Sequence, residues 1–239
     1  MKNQKNNLWG DYSQVYDFMA YHNSEYQEII EIIFRTIKNL GIPNKARILD
    51  IGAGTGNFSI RIAESYKSCQ IVHLEPDSKM IEIAKIKAYH KGLNNINFIN
   101  SSFANEIELE DFDLILCIHA LYTFPFPKTS LLDINRITNK DGKFIICDIG
   151  RVLDLLDWSL FLFKDNIKRN GIFSTLSNTL KSFKLAFNNR IIRNNQKRGV
   201  YWVHSHSELK SSLINAGFNI LHDSIVYRGY SDFFVCEKK

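Results

Sequence analysis

At 239 residues, with 45% hydrophobic and 23% charged side chains, the chain suits one α/β domain with a modest insertion and fits neither a disordered polymer nor a disulfide scaffold. Cys69, Cys117, Cys147 and Cys236 lie far apart in apolar runs, without a Cys-x-x-Cys pair or the Cys/His spacing of zinc, so they read as reduced buried thiols and no metal is expected. The net charge of +5 is uneven: residues 151–200 hold ten Lys or Arg against three Asp, a net +7 that leaves −2 for the rest, so the basic character belongs to one segment.

From the start, Met1 to Trp9 is polar and basic with no apolar run, which argues against a signal peptide or membrane span and makes a cytoplasmic location the expectation. From about Asp11 to Leu40, Tyr12, Tyr16, Met19, Tyr26, Ile29, Ile30, Ile33, Phe34 and Ile37 recur at helical spacing and stop before Gly41-Ile42-Pro43, predicting one or two helices. Strands are then predicted at Arg47–Gly52, Gln70–Glu75, Ile96–Asn100, Phe112–Ile118 and Lys143–Asp148, with helices near Asn57–Ser65, Ser78–His90 and Lys128–Thr138 between them. The strands are almost continuously apolar, as a parallel sheet covered on both faces requires. The tail differs. A helix at Ser207–Ala216 stops at Gly217, and strands at Asn219–Tyr227 and Asp232–Glu237 flank Arg228-Gly229-Tyr230-Ser231 closely enough for a hairpin. The fold class expected is therefore α/β: a doubly wound, mostly parallel seven-stranded sheet of Rossmann-like kind, ending in an antiparallel hairpin.

One segment is left over. Between the fifth strand and the final unit, residues 151–202 carry two apolar stripes, Leu153, Leu156, Leu160 and Phe163, then Ile172, Leu176, Leu180, Phe183 and Phe187, separated at Asn170-Gly171. These predict two helices that cover the carboxyl edge of the sheet as a lid. The chain thus divides into a helical cap (1–40), a core (41–150), the lid (151–202) and the closing helix and hairpin (203–239), all within a single domain.

Chemistry concentrates where the first strand runs into Asp50-Ile51-Gly52-Ala53-Gly54-Thr55-Gly56. Glycines there let the chain turn sharply and let a ligand lie against bare backbone near a helix start. Such a turn could hold a dinucleotide, hold S-adenosylmethionine, or only redirect the chain. Three features favour S-adenosylmethionine. The dinucleotide fingerprint would place its third glycine at Asn57, Asp50 stands where a carboxylate can meet an ammonium group, and a second substrate domain of the size most dehydrogenases carry is not expected. Glu75 ends the second strand 23 positions after Gly52, a spacing that suits a carboxylate on both ribose hydroxyls; Pro76 breaks the strand, and Met80 can lie against an adenine.

These segments resemble the class I S-adenosylmethionine-dependent methyltransferases, strongly over about Ile48–Asp148 and more loosely at the ends. Leu49 through Gly56 is similar to that family's first motif, Leu74-Glu75-Pro76-Asp77 to its second, and Asn97 through Phe103 to its third, although Ser102 stands where many members carry an acid. Phe112 through Tyr122 is similar to the fourth. The resemblance implies a cofactor site built from Asp50, Gly52, Ala53, Gly54, Gly56, Glu75, Pro76, Met80, Ser102, Phe103 and the Cys117 carbonyl. Trp9 through Asp17 resembles the lid of small-molecule members, which implies that Tyr12 and Tyr16 close over the donor.

Methyl transfer needs alignment, exclusion of water and, for a hydroxyl or ammonium, removal of a proton. Candidate catalytic groups are His119, Tyr122 and His204, with Asp148 and His206 nearby, at the expected carboxyl ends of strands or the return of the insertion. The expected acceptor is a small, partly apolar molecule, anionic or carrier-bound given the basic insertion, which also suits an acidic carrier protein or a membrane surface. The chain is expected to be a monomer or homodimer. No Asn-Pro-Pro-Tyr motif for a flipped base occurs, so nucleic-acid or protein methylation and NAD-dependent oxidoreduction are the alternative readings.

Overall fold

The computed structural model describes Ser13, residues 16–18, 20–103, 109–177 and 179–239, and gives backbone only within 173–187. Helical residues at 16–18 and 20–22 precede α1 (Ser24–Leu40), so the N-terminal periodicity is parted at Asn23. Asn23 is the reason for the break: its side-chain oxygen caps α1 by accepting from the Glu25 and Tyr26 amides. Gly41, left-handed at φ 58°, closes the other end, and the helix buries Ile29, Ile33 and Ile37 against the sheet, each contributing about 1.5–3 kcal/mol of apolar burial.

Strands β1 (Arg47–Ile51), β2 (Gln70–Leu74), β3 (Ile96–Ile99), β4 (Phe112–Ile118) and β5 (Thr138–Ile149) alternate with α2 (Ser59–Ser65), α3 (Ser78–His90) and α4 (Pro127–Ile137). Then come α5 (Leu155–Ser177), α6 (Thr179–Lys197), α7 (His206–Asn215), β6 (Phe218–Val226) and β7 (Ser231–Lys238). The sheet has seven strands in the order β3-β2-β1-β4-β5-β7-β6, and β7 alone runs against the others. This is the doubly wound architecture with a closing hairpin that the apolar runs predict.

Alternate residues of each strand serve opposite cores. Ile48, Leu114 and Ile145 face α1 and α2, while Leu49, Ile115 and Ile146 face α4 and α7. A third, smaller cluster of Tyr122, Ile149, Leu153, Trp158, Ile192 and Tyr201 lies over the carboxyl edge of the sheet, beneath α5 and α6. All four cysteines are buried and free. Among the described residues no group of three or more potential metal ligands occurs, and no helix is long and apolar enough to cross a membrane.

One sequence expectation needs correction. Leu153, Leu156, Leu160 and Phe163 do not form one inward stripe: α5 starts at Leu155, so Leu153 packs from the preceding loop, and Leu155, Trp158 and Leu162 are the residues turned inward. Leu156, Leu160 and Phe163 face outward. The spacing of four and three was read correctly, but on the wrong side of a helix apolar on both faces. The break does fall at Gly171, whose φ of 78° and ψ of 164° interrupt the helix. Ile172 is exposed, while Leu176, Leu180, Phe183 and Phe187 lie outside the described side chains.

Candidate cofactor and acceptor site

The glycine turn is tied to the neighbouring strand: the amides of Gly52 and Ala53 both donate to the Leu74 carbonyl, at 2.9 and 3.1 Å. That pairing brings Glu75, the next residue, against the turn. One Glu75 carboxylate oxygen accepts from the Gly54 amide and the other from the Asp77 amide, each at 2.9 Å. Each oxygen keeps one lone pair, so the carboxylate can accept two further hydroxyl protons side by side. Burial pushes Glu75 up to about 7, against the pull of those two amides. Two of the glycines serve different needs. A Cβ on Gly52 would lie 2.5 Å from Ala120 Cβ, whereas one on Gly54 would meet only Met80 Sδ at 3.6 Å and Tyr16 at 3.9 Å, so Gly54 lines a cradle and Gly52 is fixed by packing.

A cleft open at its mouth runs from this turn across the carboxyl edge of the sheet. Gly52, Gly54, Glu75, Pro76, Met80 and Tyr16 line one end; Ile149, Leu153, Trp158, Ile192 and Tyr227 line the other, with His119 and Tyr122 between them. The position is the one the topology favours, since β1 and β4 leave their shared edge in opposite directions there.

Tyr16 is held over the turn by its own helix. Asp17 accepts from the Thr55 hydroxyl at 2.6 Å and pairs with Lys87 at 2.7 Å, and the Tyr16 hydroxyl lies 3.3 Å from that of Tyr26. Tyr12 lies outside the described residues. His119 follows β4 with φ 52°; its Nε2 lies 3.0 Å from the Ser231 hydroxyl, and its ring packs edge-on to Tyr227 at 5.0 Å. Burial lowers His119 to about 3, so the imidazole is neutral at ordinary pH. Tyr122 packs edge-on to Tyr201 at 5.3 Å.

Other sequence candidates are not among the described residues that line the cavity. Asp50 is buried beside the start of α2, where its carboxylate accepts from the Ser59 amide at 3.0 Å, and burial pushes it up to about 7. A strand residue here caps a helix, which motif position alone does not reveal. Gly56 makes room for Ile60, whose Cδ1 would lie 2.5 Å from a Cβ. Ala53, Ser102, Phe103 and Cys117 are likewise absent from the described lining, with Phe103 stacked near Phe124 and Cys117 buried in β4.

His204 is a further correction. It is buried between Asp148 and Asp232, its ring nitrogens 3.4 Å from a carboxylate oxygen of each, behind Gly150, where a Cβ would lie 2.7 Å from the imidazole. Burial alone would lower it, but the two carboxylates raise it to about 9, so it is a cation and no proton acceptor. Asp232 also pairs with Arg151 and, at 2.7 Å, with His206, whose other ring nitrogen meets Asp223. The cluster ties the return of the insertion to the ends of β5 and β7.

Sequence reasoning missed Asn23, Trp158, Asn189, Ile192 and Tyr227 in the cavity wall. Asn23 could have been found as a helix cap; it also donates to the Tyr227 hydroxyl at 2.9 Å, linking the N-terminal helices to the hairpin turn. Trp158 and Tyr227 pack at 4.6 Å across elements 69 positions apart, a meeting that no local pattern announces.

A family model described as a methyltransferase domain matches residues 42–226. The uncharacterized methyltransferase YcgJ of Bacillus subtilis is 28% identical over 127 residues, 49% of this chain and 49% of that protein. The carboxy-S-adenosyl-L-methionine synthase of Campylobacter jejuni subsp. doylei is 27% identical over 215 residues, covering 87% of this chain and 83% of that one. Alignments with the first three curated relatives span only 45–65% of their lengths. Among solved structures, the [4+2]-cyclase SpnF superposes with a TM-score of 0.69 at 13% identity, over 98% of this chain and 95% of its own. The magnesium protoporphyrin IX methyltransferase of Synechocystis PCC 6803, solved with bound S-adenosylmethionine, gives 0.59 at 14% identity, over 89% and 79%. At these identities the two structures establish the likeness of fold.

Proposed function

The chain belongs to the methyltransferase domain family, and on that premise we propose that it transfers a methyl group from S-adenosylmethionine to a small, uncharged, partly apolar acceptor held beneath α5 and α6. Glu75 carries this reading, because its two oxygens, each with one backbone amide already bound, offer adjacent sites for vicinal ribose hydroxyls. Gly54 supplies the cradle, Met80 and Pro76 an apolar wall, and Tyr16 the cover. Bound there, the cofactor supplies a methyl group on a sulfonium, whose departure leaves a neutral thioether.

This chain's own residues then have to align the acceptor, exclude water and handle a proton. His119, neutral and fixed by Ser231, stands between the two ends of the cavity as an orienting hydrogen-bond partner rather than a strong base. Tyr122, Trp158 and Tyr227 give the cleft an aromatic lining, with the Trp158 and Tyr227 rings 4.6 Å apart. The Trp158 indole N–H is buried without a hydrogen-bond partner among the described residues, which favours an acceptor whose oxygen can receive it. No Lys or Arg occurs in the described lining, which supports an uncharged acceptor over the anionic one suggested by the insertion's charge.

Calorimetry with S-adenosylhomocysteine and with NAD tests the donor. Micromolar binding of S-adenosylhomocysteine and none of NAD is expected, and the reverse ends the methyltransferase reading. Incubation with S-adenosylmethionine and a metabolite extract should add one methyl mass to a neutral aromatic or apolar component; methylation confined to anions would refute the uncharged-acceptor assignment.

A further inference from the structure

Seven of the nine residues from Leu155 to Phe163 are apolar, and they divide between two faces of α5. Leu155, Trp158 and Leu162 line the cavity. Leu156, Leu160 and Phe163 are 79%, 61% and 49% exposed on the other side. The two steps of four and three set these three side chains in one row along the helix. Lys164 and Lys168 flank the row, both exposed and neither paired with a carboxylate among the described residues. By contrast, the acids of this helix are occupied: Asp157 pairs with Arg228 at 2.8 Å and Asp165 with Arg169 at 2.8 Å. Further along the helix, Arg169 donates to the His22 carbonyl at 2.7 Å.

We propose that the outer face of α5 seats on an anionic lipid surface, with Leu156, Leu160 and Phe163 entering the headgroup boundary and Lys164 and Lys168 meeting lipid phosphates. An apolar row bordered by free ammonium groups is the pattern of an interfacial helix. A second copy fits less well, because a two-fold contact through this row would bring the same unpaired lysines of both chains together. The inference rests on the proposed methyl transfer to an apolar acceptor: one helix would then touch the bilayer on one side and wall the acceptor space on the other, so that a membrane-dissolved acceptor need cross only the thickness of α5.

The test is co-sedimentation of the full chain with phosphatidylcholine vesicles and with mixed phosphatidylcholine and phosphatidylglycerol vesicles. Binding is expected on the anionic vesicles, weaker on the neutral ones, and weakened by salt. Leu160→Ser with Phe163→Ser should lower partitioning roughly tenfold on both compositions. Lys164→Gln with Lys168→Gln should lower it on the anionic vesicles alone. All these positions are exposed, so unchanged melting temperature and S-adenosylhomocysteine affinity verify the fold in each variant. Equal partitioning of parent and variants, or none by the parent, overturns the proposal. So does a doubled mass in light scattering that the Leu160 and Phe163 changes abolish, which would assign the face to a second copy. Failure of S-adenosylhomocysteine to bind the parent strikes instead at the methyl-transfer reading, whatever the vesicles show.

Discussion

In the proposed methyl transfer, Glu75 is the residue on which donor binding turns. Its position was legible, because an acid ending the second strand at a fixed distance from a glycine turn has few structural alternatives. Its two amide contacts were not, because they depend on how Gly52 and Ala53 hook onto Leu74. A carboxyl held near 7 instead of 4.5 binds its proton more tightly in the fold, so folding loses stability as pH rises from about 4.5 to about 7. Donor binding should move the other way, since only the ionised form accepts both hydroxyls. S-adenosylhomocysteine affinity should therefore rise between about pH 6 and about pH 8 in calorimetry, and Glu75→Gln should flatten the profile. Glu75→Ala should cost roughly ten- to hundredfold in affinity, the equivalent of about 1.5–3 kcal/mol for charged hydrogen bonds. A pH-independent parent would mean the carboxylate does not hold the ribose. At Gly54 the expected effect is mixed: valine there would crowd the cradle and be strained at φ 56°, so Gly54→Val should lower both affinity and melting temperature.

At the scale of elements, strands were easier to read than side-chain roles. β4 was predicted with its observed ends because it is apolar throughout, while β5 begins five residues earlier than its apolar run, since polar Thr138–Gly142 still belongs to the strand. The insertion's helices and their break at Gly171 were legible; the inward face of α5 was not, because apolar residues surround the helix and only tertiary packing selects a side. His204 shows the same limit. Its place in the chain suggested a base, yet the register of Asp148 against Asp232 makes it the clasp between them. Its value of about 9 exceeds the ordinary 6.5, so its stabilisation is fully present below about pH 6.5 and fades as pH rises through about 9. The parent's melting temperature should fall across that window more steeply than that of His204→Gln. Below it, the variant should melt several degrees lower, as a buried charge cluster loses a partner. Parallel curves would show that the imidazole carries no charge in the fold.

Taken whole, the molecule builds its site in two parts from different materials. The turn after β1, the end of β2 and α3 form the proposed donor end, within the parallel sheet whose pattern the sequence displays openly. Trp158, Ile192 and Tyr227, from α5, α6 and the turn after β6, form the proposed acceptor end, and they meet through contacts between distant segments. Such a division predicts that the two ends can be damaged separately. At a hundredfold excess over its dissociation constant, S-adenosylhomocysteine should stabilise the parent by about 2.7 kcal/mol. For a chain of this size that corresponds to a rise of roughly 5–10 °C in melting temperature. Trp158→Leu keeps an apolar side chain in the wall but removes the flat surface and the indole N–H, so it should melt somewhat lower, lose turnover on the acceptor, and still show the full ligand-induced rise. Glu75→Ala should melt near the parent and, with its ten- to hundredfold weaker binding, show only about a half to a sixth of that rise at the same ligand concentration. If Trp158→Leu also abolished the rise, the helices above the sheet would be part of the donor site itself, and the two ends would have to be treated as one cooperative unit.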